Sequence, residues 1–246
     1  MKKKKKLFLV IFILFLFLVG WLFSKLDIWT INSFEVTNNL FVTKERLLQT
    51  ASTLNYGDNL LYYPSAKISK ELTNAIPQLH KVMIKKNPFK KTVTFKLKEK
   101  EPFVNIIYYP NCYVVSEEGI LLNVDASGNV FDLENILDLP ILTGIDENLL
   151  INQTSLPAEY TGLLKNLLKK FFNFFGKETL KLDVTSKKDI VVMTDDIFDI
   201  KIGDTDRLDD KIKVFKTLFK NIKDRKDDIM YIDIRYPDYP VVRYVR

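Results

Sequence analysis

Residues 79–99 read LHKVMIKKNPFKKTVTFKLKE. Two alternations face each other across Asn87-Pro88-Phe89: Val82 and Ile84 against Lys81, Met83 and Lys85, then Val93, Phe95 and Leu97 against Thr94, Lys96 and Lys98. A period of two with apolar residues on one side is the pattern of a half-buried strand, so the stretch predicts a hairpin with one face toward a core. The preceding residues supply its cover. Thr43 is placed to cap a helix with Leu47, Ala51 and Leu54 inward, ended by Asn55-Tyr56-Gly57-Asp58. After Pro64, Ser65 is placed to cap a second helix with Ile68, Leu72 and Ile76 inward, and Pro77 stops it. Further back, Ile31 to Thr37 alternates with Phe34 and Val36 on one side, and Asn38-Asn39 turns the chain. Strand, helix, helix, strand, strand makes a small two-layer α+β core that closes on itself.

Ahead of this unit, Leu7 to Ser24 carries no charged residue and Lys2 to Lys6 precede it directly. A helix of that length rises about 27 Å, close to the hydrocarbon thickness of a bilayer, so residues 7–24 are expected to span a membrane. The lysines are expected to keep residues 1–6 in the cytoplasm and send the rest to the far side. Trp21 and Trp29 bracket the exit. A cleaved signal peptide is the competing expectation, but Gly20-Trp21-Leu22-Phe23-Ser24 offers no small-x-small pair for cleavage.

The net charge of +6 comes almost wholly from the five leading lysines. Residues 25–100 carry thirteen basic and six acidic side chains, and residues 101–246 nineteen and twenty-five. The extracytoplasmic part lacks the basic footprint of a nucleic-acid binder, and the change of sign suggests a boundary near residue 100. The basic part is expected to lie near anionic headgroups or anionic wall polymer.

Beyond the boundary, strands are expected at Pro102 to Tyr109, Tyr113 to Val115 and, after the Ser116-Glu117-Glu118-Gly119 turn, Ile120 to Leu122. The pattern is lost over Ala126 to Asp138, which reads as loop. Tyr160 to Phe175 is helical by period, with Leu163, Leu164, Leu167, Phe171 and Phe174 inward and Gly176 as its stop. Its phenylalanines are assigned to a core, because lysines interrupt the run that a second membrane contact needs. Strands are expected again at Leu180 to Val184, Ile190 to Thr194 and Ile197 to Ile202. A helix follows with the stripe Leu208, Ile212, Phe215, Phe219 and Ile222. The chain closes with Met230, Ile232 and Ile234 on one strand face, a turn at Pro237-Asp238-Tyr239-Pro240, and a strand over Val241 to Arg246.

No catalytic constellation is legible. The single histidine, His80, stands in a lysine-rich strand with no Gly-x-Ser-x-Gly elbow, the eight glycines are scattered, and the one cysteine, Cys112, reads as a packed thiol. The acidic pairs Glu117-Glu118, Asp195-Asp196, Asp209-Asp210 and Asp227-Asp228 fall at turns and helix starts, where solvation and the helix dipole explain them. An enzyme, a cofactor, a metal site and a small-molecule substrate are all not expected. What remains is binding: a final strand at a sheet edge leaves backbone N–H and C=O groups for an incoming strand.

Several residues, taken in order, carry a resemblance. They are Phe34-Glu35-Val36 with Asn38-Asn39, Asn59-Leu60-Leu61, Pro77 and Val82, Asn87-Pro88, Glu99-Lys100-Glu101-Pro102, Leu139 to Gly144, and Asp233-Ile234-Arg235-Tyr236 followed by Val241-Val242-Arg243-Tyr244. Behind an N-terminal anchor, this order resembles the FtsQ/DivIB family of bacterial cell-division proteins. The resemblance implies a POTRA domain over 31–100 and an FtsQ-type β domain over 101–246, expected as a larger antiparallel sheet with two helices. It implies a non-enzymatic, single-pass scaffold of the division septum in the cell membrane. Its partners would be bitopic coiled-coil proteins of the FtsB/DivIC and FtsL types, the former docking on Arg235, Tyr236, Val242, Arg243 and Tyr244. The tail of many relatives has no counterpart after Arg246, and contacts made by such a tail are not expected. A POTRA-bearing factor of outer-membrane assembly or secretion, or a surface-anchored enzyme, stands as the alternative. About 145 residues with two good helices do not match a barrel of many ~10-residue strands.

Overall fold

The structure, a computed structural model, describes residues 2–24, 29–54, 56–125, 127, 129–131, 138–151, 153–171, 174–175, 180–186, 188–194, 198–222 and 227–245, with the side chains of the first helix described over 10–22. The chain forms two compact units, Met1–Glu99 and Lys100–Arg246.

The first unit opens with helix α1, Lys2–Ser24. Among the described residues no helix is long and apolar enough to cross a membrane. The span expected at 7–24 is therefore not shown. Strand β1 (Ser33–Thr37), helices α2 (Lys44–Thr53) and α3 (Ser65–Ala75), and strands β2 (Leu79–Asn87) and β3 (Thr92–Glu99) follow. The sheet order is β1-β3-β2, with β1 parallel and β2 antiparallel to β3. Leu47, Ile68, Leu72, Ile76, Val82, Val93, Phe95 and Leu97 form the buried core between the sheet and the two helices. Thr43 caps α2, its hydroxyl accepting the Arg46 N–H at 3.3 Å. At α3 the expected cap shifts by one position. The Pro64 carbonyl accepts the Ile68 N–H at 3.1 Å, so the first turn begins a residue earlier and Ser65 lies inside the helix. The Ser65 hydroxyl is buried without a hydrogen-bond partner among the described residues. Asn38 takes the left-handed conformation expected of the turn after β1, φ 61°.

The second unit holds β4 (Pro102–Tyr108), β5 (Asn111–Ser116), β6 (Ile141–Thr143), α4 (Ala158–Phe171), β7 (Leu180–Asp183), β8 (Ile190–Thr194), β9 (Asp199–Gly203), α5 (Leu208–Ile222), β10 (Ile229–Asp233) and β11 (Val241–Tyr244). Its eight strands run in the order β11-β10-β9-β8-β7-β6-β4-β5. The sheet is mixed, which corrects the antiparallel expectation: β4 with β6, β6 with β7 and β9 with β10 are parallel pairs. The cause is connectivity, because α4 joins β6 to β7 and α5 joins β9 to β10. A helical crossover returns the chain to the end where the previous strand began.

Both helices bury their apolar faces in one core with the sheet. Helix α4 is described as far as Phe171, and beyond it Phe174 and Phe175 donate their N–H groups to the Phe171 carbonyl at 2.9 and 3.1 Å and pack against the core. With Phe171, Phe198, Phe215 and Phe219 they form a six-ring cluster whose nearest centroids are 5.2 Å apart. The expected stop at Gly176, the Asp195-Asp196 pair and most of the loop over 126–138 lie outside the described residues. Where the loop begins, buried Asn123 accepts the Val114 N–H at 2.8 Å and donates to the carbonyls of Cys112 and Phe131, at 2.7 and 3.2 Å. Cys112 is half-buried. The acidic residues at turns are ion-paired: Glu117 with Lys165 and Lys169, Glu118 with Lys100, Asp209 with Lys170.

Candidate functional site

Strand β11 closes one end of the eight-stranded sheet and, among the described residues, pairs on one side only, antiparallel with β10. Val241 stands opposite Asp233, Val242 opposite Ile232, Arg243 opposite Tyr231 and Tyr244 opposite Ile229. The fully buried Ile232 thus carries Val242 to the core side, where Val242 packs half-buried, while Val241 and Arg243 face outward with Tyr231. Backbone N–H groups alternate in direction along a strand. Val245 donates its N–H inward to the Asp228 carbonyl at 2.7 Å, which by alternation turns the N–H of Arg243 toward β10 and that of Val242 toward the open edge.

The turn between β10 and β11 is held at both ends. Tyr239 donates its N–H to the Tyr236 carbonyl at 3.0 Å, and Pro237 is buried beneath it. Asp238 receives both Arg207 amino groups, Nη1 at 2.7 Å and Nη2 at 3.1 Å. This hydrogen-bonded contact holds the Asp238 carboxyl below the usual carboxylate range and raises the Arg207 guanidinium. The result is a braced turn that displays Tyr236 and Tyr239, 72% and 83% exposed.

Arg235 is a brace as well. Its Nη2 and Nε donate to Asp233 at 2.6 and 3.1 Å, its Nη1 reaches Asp189 at 3.9 Å, and its side chain crosses Gly203 so closely that a Cβ there would lie 3.0 Å from Cγ. Burial alone would push the Asp233 carboxyl up, but hydrogen bonds from the Arg235 side chain and backbone outweigh it and hold it low.

Of the residues expected here, the structure brings Val242, Arg243 and Tyr244 together on one edge strand, with Arg235 and Tyr236 at the end of β10. The sequence pattern missed Met230, expected inward and found 58% exposed. A register shift between Ile229 and Tyr231 is the reason: one extra residue in β10 puts buried Ile229 and Ile232 on the core side and turns Met230 out. It also missed Tyr239, Val241 and Val245, all half or more exposed around the same edge. The Tyr-Pro-Asp-Tyr-Pro run was the available signal for Tyr239. Arg207 had none, since its partner lies 31 positions away.

At this end of the sheet an edge strand stands beside exposed tyrosines. The family model "Cell division protein FtsQ/DivIB, C-terminal" matches residues 111–235. Two relatives, each named Cell division protein DivIB, come from Clostridium botulinum. That of strain Loch Maree / Type A3 is 26% identical over 254 residues, and that of strain Hall / ATCC 3502 / NCTC 13319 / Type A is 26% identical over 249. Each alignment covers 98% of this chain and 93% of the relative. The chain belongs to the FtsQ/DivIB family, whose members are non-enzymatic cell division proteins that work in complexes.

Proposed function

We propose that this protein is a single-pass scaffold of the division septum. It holds bitopic coiled-coil proteins of the FtsB/DivIC and FtsL types, and the former adds a strand to β11. The observation that carries the reading is the one-sided pairing of β11, with the Val242 N–H turned outward. Strand addition draws its affinity from main-chain hydrogen bonds, and alternate side chains set the choice of partner. In this reading α1 is the membrane anchor. The large apolar side chains from Val10 to Leu22 are exposed on every face, 45% or more, and a helix apolar all round calls for a membrane or a core around it. The β1-α2-α3-β2-β3 unit is the POTRA domain, and Arg235 and Tyr236 position and flank the docking edge.

Proline lacks the N–H, so Val242→Pro removes an outward donor and spares the ladder with β10, whereas Arg243→Pro removes an inward one. Val242→Pro is expected to abolish capture of the FtsB/DivIC-type partner in co-purification from membranes, with circular dichroism and Tm near the parent's. Val242→Ala weakens capture only, and Arg243→Pro lowers Tm. A folded Val242→Pro protein that captures its partner as well as the parent would falsify edge docking. A reporter fused after Arg246 that is active only outside the cytoplasm checks the topology.

A further inference from the structure

Three separate segments meet at one pole of the first unit. Because β1 runs parallel to β3, Ser33 starts beside Thr92, and the Asn32 N–H donates to the Lys91 carbonyl at 2.8 Å. The chain therefore enters this unit next to the tip of the β2–β3 hairpin. Just before, Ile31 donates to the Asp58 carbonyl and Leu60 to the Trp29 carbonyl, both at 2.7 Å, which ties the loop over 58–62 to the same end. That end displays apolar side chains: Phe89 is 98% exposed, Tyr62 61% and Leu61 48%. The Phe89 tip is shaped, since the Asn87 carboxamide oxygen accepts the N–H groups of Phe89 and Lys90, both at 3.1 Å. Lys85, Lys86 and Lys90 are exposed around it, and Asp58 is the exposed acid on the neighbouring loop.

We propose that this pole docks on the surface of an anionic phospholipid bilayer. Phe89, Tyr62 and Leu61 enter the headgroup–acyl boundary while Lys85, Lys86 and Lys90 meet lipid phosphates. The inference rests on the reading of α1 as a membrane anchor. Trp29 is five residues beyond Ser24, so the chain can place it no more than about 18 Å from the end of that helix. Tethering at this range holds the pole at high effective concentration over the headgroups. Apolar side chains ringed by lysines are the combination that binds such an interface.

The test uses the full chain with Trp21→Phe and Trp29→Phe, which removes both native tryptophans, and one reporter at either end of β2: Phe89→Trp or His80→Trp. Each protein is reconstituted in phosphatidylcholine vesicles with and without phosphatidylglycerol, floated on a gradient, and read with acyl-brominated lipid as quencher. The Phe89→Trp reporter is expected to emit at shorter wavelength and to be quenched about twofold or more over the His80→Trp reporter, chiefly with the anionic lipid. Lys85→Glu with Lys86→Glu and Lys90→Glu should abolish that difference. Vesicles that float with the protein while the two reporters quench alike overturn the docking of this pole and leave the anchor standing. A protein that does not float overturns the anchor, and the docking with it.

Discussion

Glu99 closes β3 with its carboxylate turned onto the backbone of the loop before α2. It accepts the N–H of Leu40 at 3.0 Å, of Phe41 at 3.0 and 3.1 Å, and of Val42 at 2.8 Å. Three donors converge on one side chain, so Glu99→Ala strands the part-buried amides of Phe41 and Val42. We expect it to cost about 1–3 kcal/mol in urea unfolding, with Glu99→Gln costing less because one acceptor oxygen remains. A second residue-scale contrast concerns Lys211, whose buried ammonium donates to the Asp204 carboxylate at 2.8 Å and carbonyl at 2.9 Å. Asp204→Ala leaves the charge on a side chain 3% exposed, whereas Lys211→Met leaves it on one 50% exposed that water reaches. The first should lower Tm and the second change it much less. Acid provides the third. Asp233 is held below its unfolded value of about 3.9, so its contribution is present above that pH and is lost as pH falls through the lower folded value. Thermal melts should change little from about pH 7 to 5 and fall below about pH 4, with a smaller fall in Asp233→Asn.

At the scale of elements, a stripe on α5 was legible and its consequence can be measured. Phe215 is fully buried at the centre of the ring cluster, and Phe215→Ala should cost about 3–5 kcal/mol, read as a shift in denaturation midpoint at unchanged slope. The β2–β3 hairpin, the α2 cap and the apolar face of α3 were readable for the same reason. Each is local, and a period of two or of 3.6 is visible within a dozen residues. The order of the larger sheet was not. Parallel pairs join residues such as Leu142 and Leu182, which no short-range signal connects. At the candidate edge, the alternation of β11 was visible, but the phase of β10 was misread across its register shift, and the bracing of Arg235 by Asp233 and Gly203 needed the fold. Gly144 is the instructive middle case. Its motif was recognisable, yet the reason lies in three dimensions: φ is +80° and a Cβ would sit 2.3 Å from the Thr185 backbone nitrogen. Gly144→Ala should therefore destabilise the β6 end strongly, as hydrogen exchange of Val184, which donates to the Thr143 carbonyl, would report.

For the molecule as a whole, each unit closes a core of its own. Leu72→Ala and Phe215→Ala should therefore each act on the unit that holds the residue, with Leu72→Ala costing about 2–5 kcal/mol there. Calorimetry of the full chain checks this: a single transition lowered equally by both substitutions would mean the units unfold as one. The parallel pairing of β1 with β3 also imposes an order in time. Ser33 and Thr92 are 59 positions apart, and a ribosome adding 5–20 residues per second takes roughly 3–12 s to cover that distance. Until then the first strand has no neighbour, while both helices that will cover it are completed in the nascent chain before β3 is made. A pause in translation between Ala75 and Thr92 would lengthen that wait and expose Phe34 and Val36 to proteases or holding chaperones before the sheet can close.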